Sequence, residues 1–280
     1  MMDLPEAVLP LIDALRTVSS IQAVVLGGSR ARGTHLPNSD VDLGLYYDPN
    51  HPMDTAEIDE LVSRMDDRRH KGLVTSIGGW GPNINGGGWL RTGGARVDLI
   101  YRDLDVVQNA ISDCTAGRLE VSYQPGHPFG FLNTIHAAEV ALCVPLWDRQ
   151  GQLAAMKSRM EKYPPMLKQA MIQKFSWEIR FSLEIAEKAV ARKDLAYISG
   201  SLFRSVECMC LVLFALNEHH WMNEKGAVEM AGNLRIAPRD FKLRVDSLFL
   251  HLGEGSLGKA MSAANQLCSE VSALAEGSNG

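Results

Sequence analysis

Ile21-Gln22-Ala23-Val24-Val25-Leu26-Gly27-Gly28-Ser29, followed after ten intervening residues by Asp40-Val41-Asp42-Leu43-Gly44-Leu45-Tyr46-Tyr47, is the stretch that decides how this 280-residue chain is read. Two apolar, β-branched and aromatic runs bounded by turn formers predict strands over 21–26 and 41–47. Side chains alternate across a strand, so Asp40 and Asp42 fall on one side of the second. The Gly-Gly-Ser turn offers bare backbone N–H groups and a hydroxyl, which suit phosphate oxygens. Carboxylates on one strand face beside such a turn suit a nucleoside triphosphate held on divalent metal.

Outward from this stretch the pattern first alternates and then turns helical. Val8, Leu11, Ile12 and Leu15 recur at helical spacing and predict a helix over 5–17. Asp54 is placed to cap a helix reaching about residue 69, with Ile58, Leu61, Val62 and Met65 on one face. The glycine-dense segment 78–94 has too many turn formers for a long helix and reads as strands joined by irregular loops. A strand over 96–101 and a short helix over 104–111 follow. After Gln124-Pro125-Gly126-His127-Pro128, helices are expected over 132–144 and 153–162. Pro164-Pro165 then opens a long helix carrying Leu167, Met171, Phe175, Ile179 and Leu183 at steps of three or four. Further helices are expected over 196–217 and around 227–230, 241–250 and 257–275. The expected fold is an α/β (α+β) head with a mixed β-sheet, followed by an all-α helical bundle. Its boundaries are 1–118 for the head, 119–150 for a connector and the first bundle helix, and 151–280 for the rest of the bundle.

Composition narrows the class. A hydrophobic share of 46% and a charged share of 22% are those of an ordinary globular protein. The net charge of −5 argues against a general RNA binder or a template-bound polymerase, whose phosphate contacts need a strongly basic face. Acids near the N-terminus in place of a basic region, and no apolar run longer than 208–216, predict neither a signal peptide nor a membrane span. Cys114, Cys143, Cys208, Cys210 and Cys268 mostly lie in apolar stretches and read as reduced, buried thiols of a cytoplasmic protein.

Gly28-Ser29, ten residues, then Asp40-Val41-Asp42-Leu43, with a lone acid in Arg96-Val97-Asp98-Leu99-Ile100, resembles the signature of the polymerase-beta-like nucleotidyltransferase superfamily. The resemblance covers roughly the first hundred residues. It implies that Asp40, Asp42 and Asp98 hold metal, two Mg2+ ions being expected, with Asp98 also a candidate proton acceptor. It implies ATP or another nucleoside triphosphate as substrate, gripped by Gly28 and Ser29. Arg30 and Arg32 flank this loop and would add charge; the competing reading of each is a solvated loop residue or a carboxylate partner. Lys225 and Arg204, from the bundle, are candidates for the triphosphate, against ordinary solvated or paired side chains. Glu139, in a largely apolar helix, is the candidate general base, with Glu178 behind it and an ion pair as the competing reading of both. Trp80 and Trp89 are placed either to stack on a ring or to pack the core. His219 and His220, adjacent and so on different helix faces, read as surface residues.

A compact head followed by a helical bundle resembles aminoglycoside and other antibiotic adenylyltransferases. That implies transfer of AMP from ATP to a hydroxyl of a small molecule such as an antibiotic, and the acidic balance is compatible with a cationic drug. A rival is a minimal-nucleotidyltransferase toxin or regulator whose acceptor is tRNA or a partner protein, with a basic docking face around Arg91 and Arg96. A third reading, a non-catalytic nucleotide-binding module, is opposed by the presence of all three acids. No membrane partner is expected.

Overall fold

The computed structural model describes residues 4–277. These form two compact units, the first comprising Met1–Ser112, Ser122–Gly126 and Asn133–Lys162, the second Asp113–Val121, His127–Leu132 and Tyr163–Gly280.

In the first unit, the head, a short 3-10 turn leads into α1 (Leu9–Leu15), β1 (Ile21–Leu26), a one-turn α2 (Gly28–Ala31), β2 (Val41–Tyr47) and α3 (Thr55–Met65). Next come β3 (Gly87–Thr92), β4 (Ala95–Asp103) and α4 (Leu104–Thr115), whose end from Asp113 belongs to the second unit, as do Val121 of the short β5 (Val121–Ser122) and all of β6 (Phe131–Leu132). The head closes with α5 (Thr134–Leu142), β7 (Val144–Asp148) and α6 (Gln152–Arg159). The mixed five-stranded sheet has the order β3-β4-β2-β1-β7. Only β2 and β4 run parallel. Strands β1 and β2 fall where the apolar runs predict them.

One sheet face makes the core: Val24, Leu26, Val41, Leu43, Leu45, Val97, Leu99 and Tyr101 bury against Leu11, Leu15, Ile58 and Val62 of α1 and α3. Asp54 caps α3, its carboxylate accepting the N–H of Ala56 at 2.9 Å and of Glu57 at 3.3 Å. The helix ends at Met65 rather than near residue 69, because Asp66 turns to an extended ψ of 135°.

The expected boundaries need correction at the connector. The helix expected over 132–144 as the first of the bundle is α5, and it belongs to the head, as does α6. Between them lies β7, a strand the helical reading passed over, which pairs with β1 through Val24↔Trp147 and Leu26↔Val144. It sits at the edge of the sheet, where Pro145, lacking an N–H, is tolerated.

The second unit is helical. It consists chiefly of α7 (Pro165–Val190), α8 (Leu195–Leu216), α9 (Ala227–Gly232), α10 (Phe241–Gly253) and α11 (Leu257–Gly277). Helices α7 and α8 pair along their lengths, with α11 against both. At 22 residues α8 is long and apolar enough to cross a membrane by length and composition, more than the short run read in the sequence suggested. Residues Ser205 to Leu216 are all buried within the protein, which makes it the core helix of the bundle. All five cysteines are free and buried.

Candidate active site

The site grows from the register of two strands. Asp42 pairs directly with Asp98 across the parallel β2–β4 ladder, with Gly44 opposite Ile100 and Tyr46 opposite Arg102. Alternation puts these six on the face away from the α1–α3 core. Neighbouring strands lie about 4.8 Å apart, so the two aspartates stand side by side. Strand β3 adds Trp89 opposite Asp98 and Arg91 opposite Arg96.

The turn after β1 closes on Asp42 from the other side. Gly27 donates its N–H to the Asp42 carbonyl at 2.8 Å. Gly28 has φ +59°, and a Cβ there would lie 1.8 Å from Asp42 Oδ2. Only glycine allows the carboxylate and the turn to approach so closely. Ser29 follows in α2, part exposed. Arg30 donates from Nε to the Asp40 carbonyl at 3.2 Å and from Nη2 to the Ser39 carbonyl at 2.8 Å. Arg32 reaches back to the Gly28 carbonyl at 3.3 Å. Both arginines thus brace the turn. The Asp40 carboxylate meets the Arg96 guanidinium.

Asp40 and Asp98 line a cleft of about 350 Å³ together with Trp89, Arg68, Arg91 and Arg96. Its rim is fixed by Asp66, whose carboxylate accepts the backbone N–H of Arg91 at 2.9 Å, Arg68 at 3.0 Å and His70 at 3.3 Å. Burial would push that carboxyl up, but these N–H groups outweigh it and hold it below its ordinary value. Arg68 and His70 were not singled out in the sequence; the only signal was a basic run just past α3.

Further along the same face Arg102 clasps Glu139 of α5, Nε to Oε2 at 2.6 Å and Nη2 to Oε1 at 2.5 Å. Burial acts to lower the guanidinium pKa, and the Glu139 charge raises it overall. Around the pair, burial and then Glu139 push the Tyr46 phenol well up. Burial, aided by Arg102 and opposed by Glu139, takes His136 down to about 4. The ion-pair reading of Glu139 is the one the geometry favours.

Arg204 and Lys225 lie in the helical unit. Arg204 pairs with Glu178 at 2.5 Å and stacks over the Phe129 ring at 4.6 Å, so the ion-pair reading of Glu178 is realised. Lys225 is exposed, its backbone N–H bonded to Asn223 Oδ1 at 3.0 Å. Among the described residues no group of three His, Cys, Asp or Glu side chains forms a ready-made metal site. The structure brings together Asp42 and Asp98, and Asp40 turns to Arg96.

Residues 11–75 match the nucleotidyltransferase domain family. The head is a nucleotidyltransferase domain with a nucleotide as substrate, and the chain is an enzyme of that type. Residues 134–225 match a domain of unknown function, DUF4037. No curated protein is a significant match to the chain. A solved nucleotidyltransferase-like protein from Exiguobacterium sibiricum 255-15 is similar to 94% of this chain and 74% of its own, at 11% identity and a TM-score of 0.44.

Proposed function

We propose that the enzyme moves a nucleotidyl group, AMP from ATP, onto a hydroxyl of a small-molecule acceptor, at the Asp42–Asp98 pair. The observation that carries this is the side-by-side register of the two carboxylates with the Gly28 turn pressed against Asp42. Ser29 and the turn would receive the β- and γ-phosphates. The acceptor oxygen forms a bond to the α-phosphorus while the bond from phosphorus to pyrophosphate breaks, and the hydroxyl proton would pass to the Asp98 carboxylate.

The donor set fits magnesium. Hard carboxylate oxygens are its preferred ligands, and it binds through one or two of them with substrate phosphates and water completing the shell. Asp42 and Asp98 would hold it, and Asp40 would join only by leaving Arg96. When bound, the metal neutralises phosphate charge. The protein's own part is to fix the two carboxylates, brace the phosphate turn through Arg30 and Arg32, and present the acceptor.

The test is magnesium-dependent pyrophosphate release from ATP in the presence of hydroxyl acceptors. Asp42→Asn and Asp98→Asn should each lower turnover at least about a hundredfold, some 3 kcal/mol of transition-state stabilisation. Unchanged turnover in both variants would sink the reading.

A further inference from the structure

Beside Asp98, on the side away from the phosphate turn, two tryptophans stack. The rings of Trp80 and Trp89 lie 4.7 Å apart with 27° between their planes. Trp89 is 61% exposed, and it belongs to the same cleft as Asp98. The support beneath is rigid. Trp80 rests over Gly87, where a Cβ would lie 1.9 Å from the Leu99 carbonyl oxygen and 2.7 Å from the Trp80 ring, so the ring and the β4 backbone both close on a position without a side chain. Buried Gln124 holds the loop, donating to the Trp80 carbonyl at 2.8 Å and accepting the N–H groups of Asn83 and Ile84, each at 3.1 Å. An exposed tryptophan backed by a second ring on a braced loop is a stacking platform.

The cleft carries both signs, Asp40, Asp66 and Asp98 against Arg68, Arg91 and Arg96, and Arg96 is engaged by Asp40. Among the described residues neither Arg68 nor Arg91 has an ion pair, and Asp66, an acid of the same rim, is engaged with backbone N–H groups. The Arg68 and Arg91 guanidinium groups stand at the cleft, and such groups suit phosphate or carboxylate. A polycationic antibiotic would meet these arginines with like charge.

We propose that Trp89, backed by Trp80, and the Arg68–Arg91 rim form the acceptor subsite, and that the acceptor carries a planar aromatic ring and an anionic group. This rests on the nucleotidyl-transfer reading above. Across the sheet the order is Trp89 on β3, Asp98 on β4, Asp42 on β2, and the phosphate turn after β1. Attacking and leaving oxygens stand roughly in line on opposite sides of the transferred phosphorus. With pyrophosphate leaving towards the turn, the attacking hydroxyl arrives from the Trp89 side. The cleft of about 350 Å³ admits a small ring compound.

The same ring-and-phosphate chemistry exists in the donor nucleotide, and the experiment separates the two sources. 1-Naphthyl phosphate, cyclohexyl phosphate and kanamycin are titrated into the full chain by calorimetry, alone and with a saturating non-hydrolysable ATP analogue and magnesium. Naphthyl phosphate should bind in both conditions, about tenfold or more tighter than cyclohexyl phosphate. Trp89→Ala should weaken it by about tenfold or more, the scale of one ring stack, and Trp89→Phe by far less. Arg91→Ala should weaken both phosphates. No binding of naphthyl phosphate, equal affinity in folded Trp89→Ala, displacement by the ATP analogue, or preference for kanamycin would each overturn the proposal. Failure of the ATP analogue itself to bind would instead overturn the nucleotidyl-transfer reading on which it rests.

Discussion

Glu139→Gln separates two roles for one carboxylate. The Arg102 side chain is 4% exposed and that of Glu139 21%, and two parallel hydrogen bonds join them. The remaining guanidinium contact runs from Nη1 to the Tyr101 carbonyl at 2.9 Å. The amide has the carboxylate's shape but not its charge, and it cannot accept both N–H groups. Arg102 would then be a buried cation beside Tyr46, already pushed up as a phenol, and His136, held neutral, with the Tyr101 carbonyl as its remaining acceptor. Breaking a buried pair in this way costs about 3–5 kcal/mol. At about 2–4 °C per kcal/mol for a domain of this size, the melting midpoint should fall by about 6–20 °C. Below that midpoint, pyrophosphate release per folded molecule should stay close to wild type. Replacing both partners, as in R102M/E139L, should recover most of the loss, since an apolar pair of similar volume avoids the desolvation cost. Thermal denaturation and turnover measured on the same preparations decide the matter. A Glu139→Gln protein that melts with wild type while its turnover falls a hundredfold or more would refute the structural role and restore the general-base reading.

Two further outcomes follow from the geometry. Gly28→Ala combines a left-handed residue, costing about 1–2 kcal/mol, with a methyl driven into Asp42, so turnover should collapse in a folded protein. Gly33→Ala, at φ +69° with nothing within 4 Å, carries the backbone strain alone and should keep its turnover; equal losses would remove Asp42 from the argument. In the helical unit, burial and the charge of Glu224 push Glu207, 2% exposed, up to about 8. The folded state therefore holds a proton that the unfolded state releases above about 4.5, and stability falls as pH rises between about 4.5 and 8. Glu207→Gln should flatten that slope and gain on wild type by several kcal/mol, about 3–5, at pH 8; parallel urea-denaturation profiles across this range would contradict it.

The two strands and the spacing of Asp42 were legible because apolar alternation and turn residues are local signals. So were the long helices, whose spacing of three or four repeats over many turns. The position of α5 and the existence of β7 were not. Val144-Pro145-Leu146-Trp147-Asp148 is five residues with a proline, and only pairing with β1 makes it a strand. The partners of charged residues were illegible for the same reason. Glu139 sits in an apolar helix in the sequence, and the residue that neutralises it comes from 37 positions away. In the sequence Arg30 and Arg32 stand out as charge beside the loop, and only the fold shows that they also donate to backbone carbonyls. The alternation of Arg96, Asp98, Ile100 and Arg102 did contain a warning that Asp98 shares its face with two arginines.

Topology explains why the acids gather where they do. Antiparallel pairing places the end of β1 beside the start of β2, Leu26 against Leu43, so the turn that follows β1 must emerge next to Asp42. Parallel pairing makes β4 begin at the same end, which delivers Asp98 to the same place. The face then runs from that open end, with Asp42 and Asp98, to a closed end where Arg102 lies under α5. Charges at the closed end cannot be solvated and are matched as a pair. Those at the open end lie beside the cleft that Asp98 lines, where a ligand has access. Asp42 and Asp98 stand side by side with like charge, and a bound cation would lower their mutual repulsion. The sheet thus gathers its accessible charge at the end where the turn, the arginine rim and the tryptophan stack converge, and a ligand that touches all three is bound most tightly.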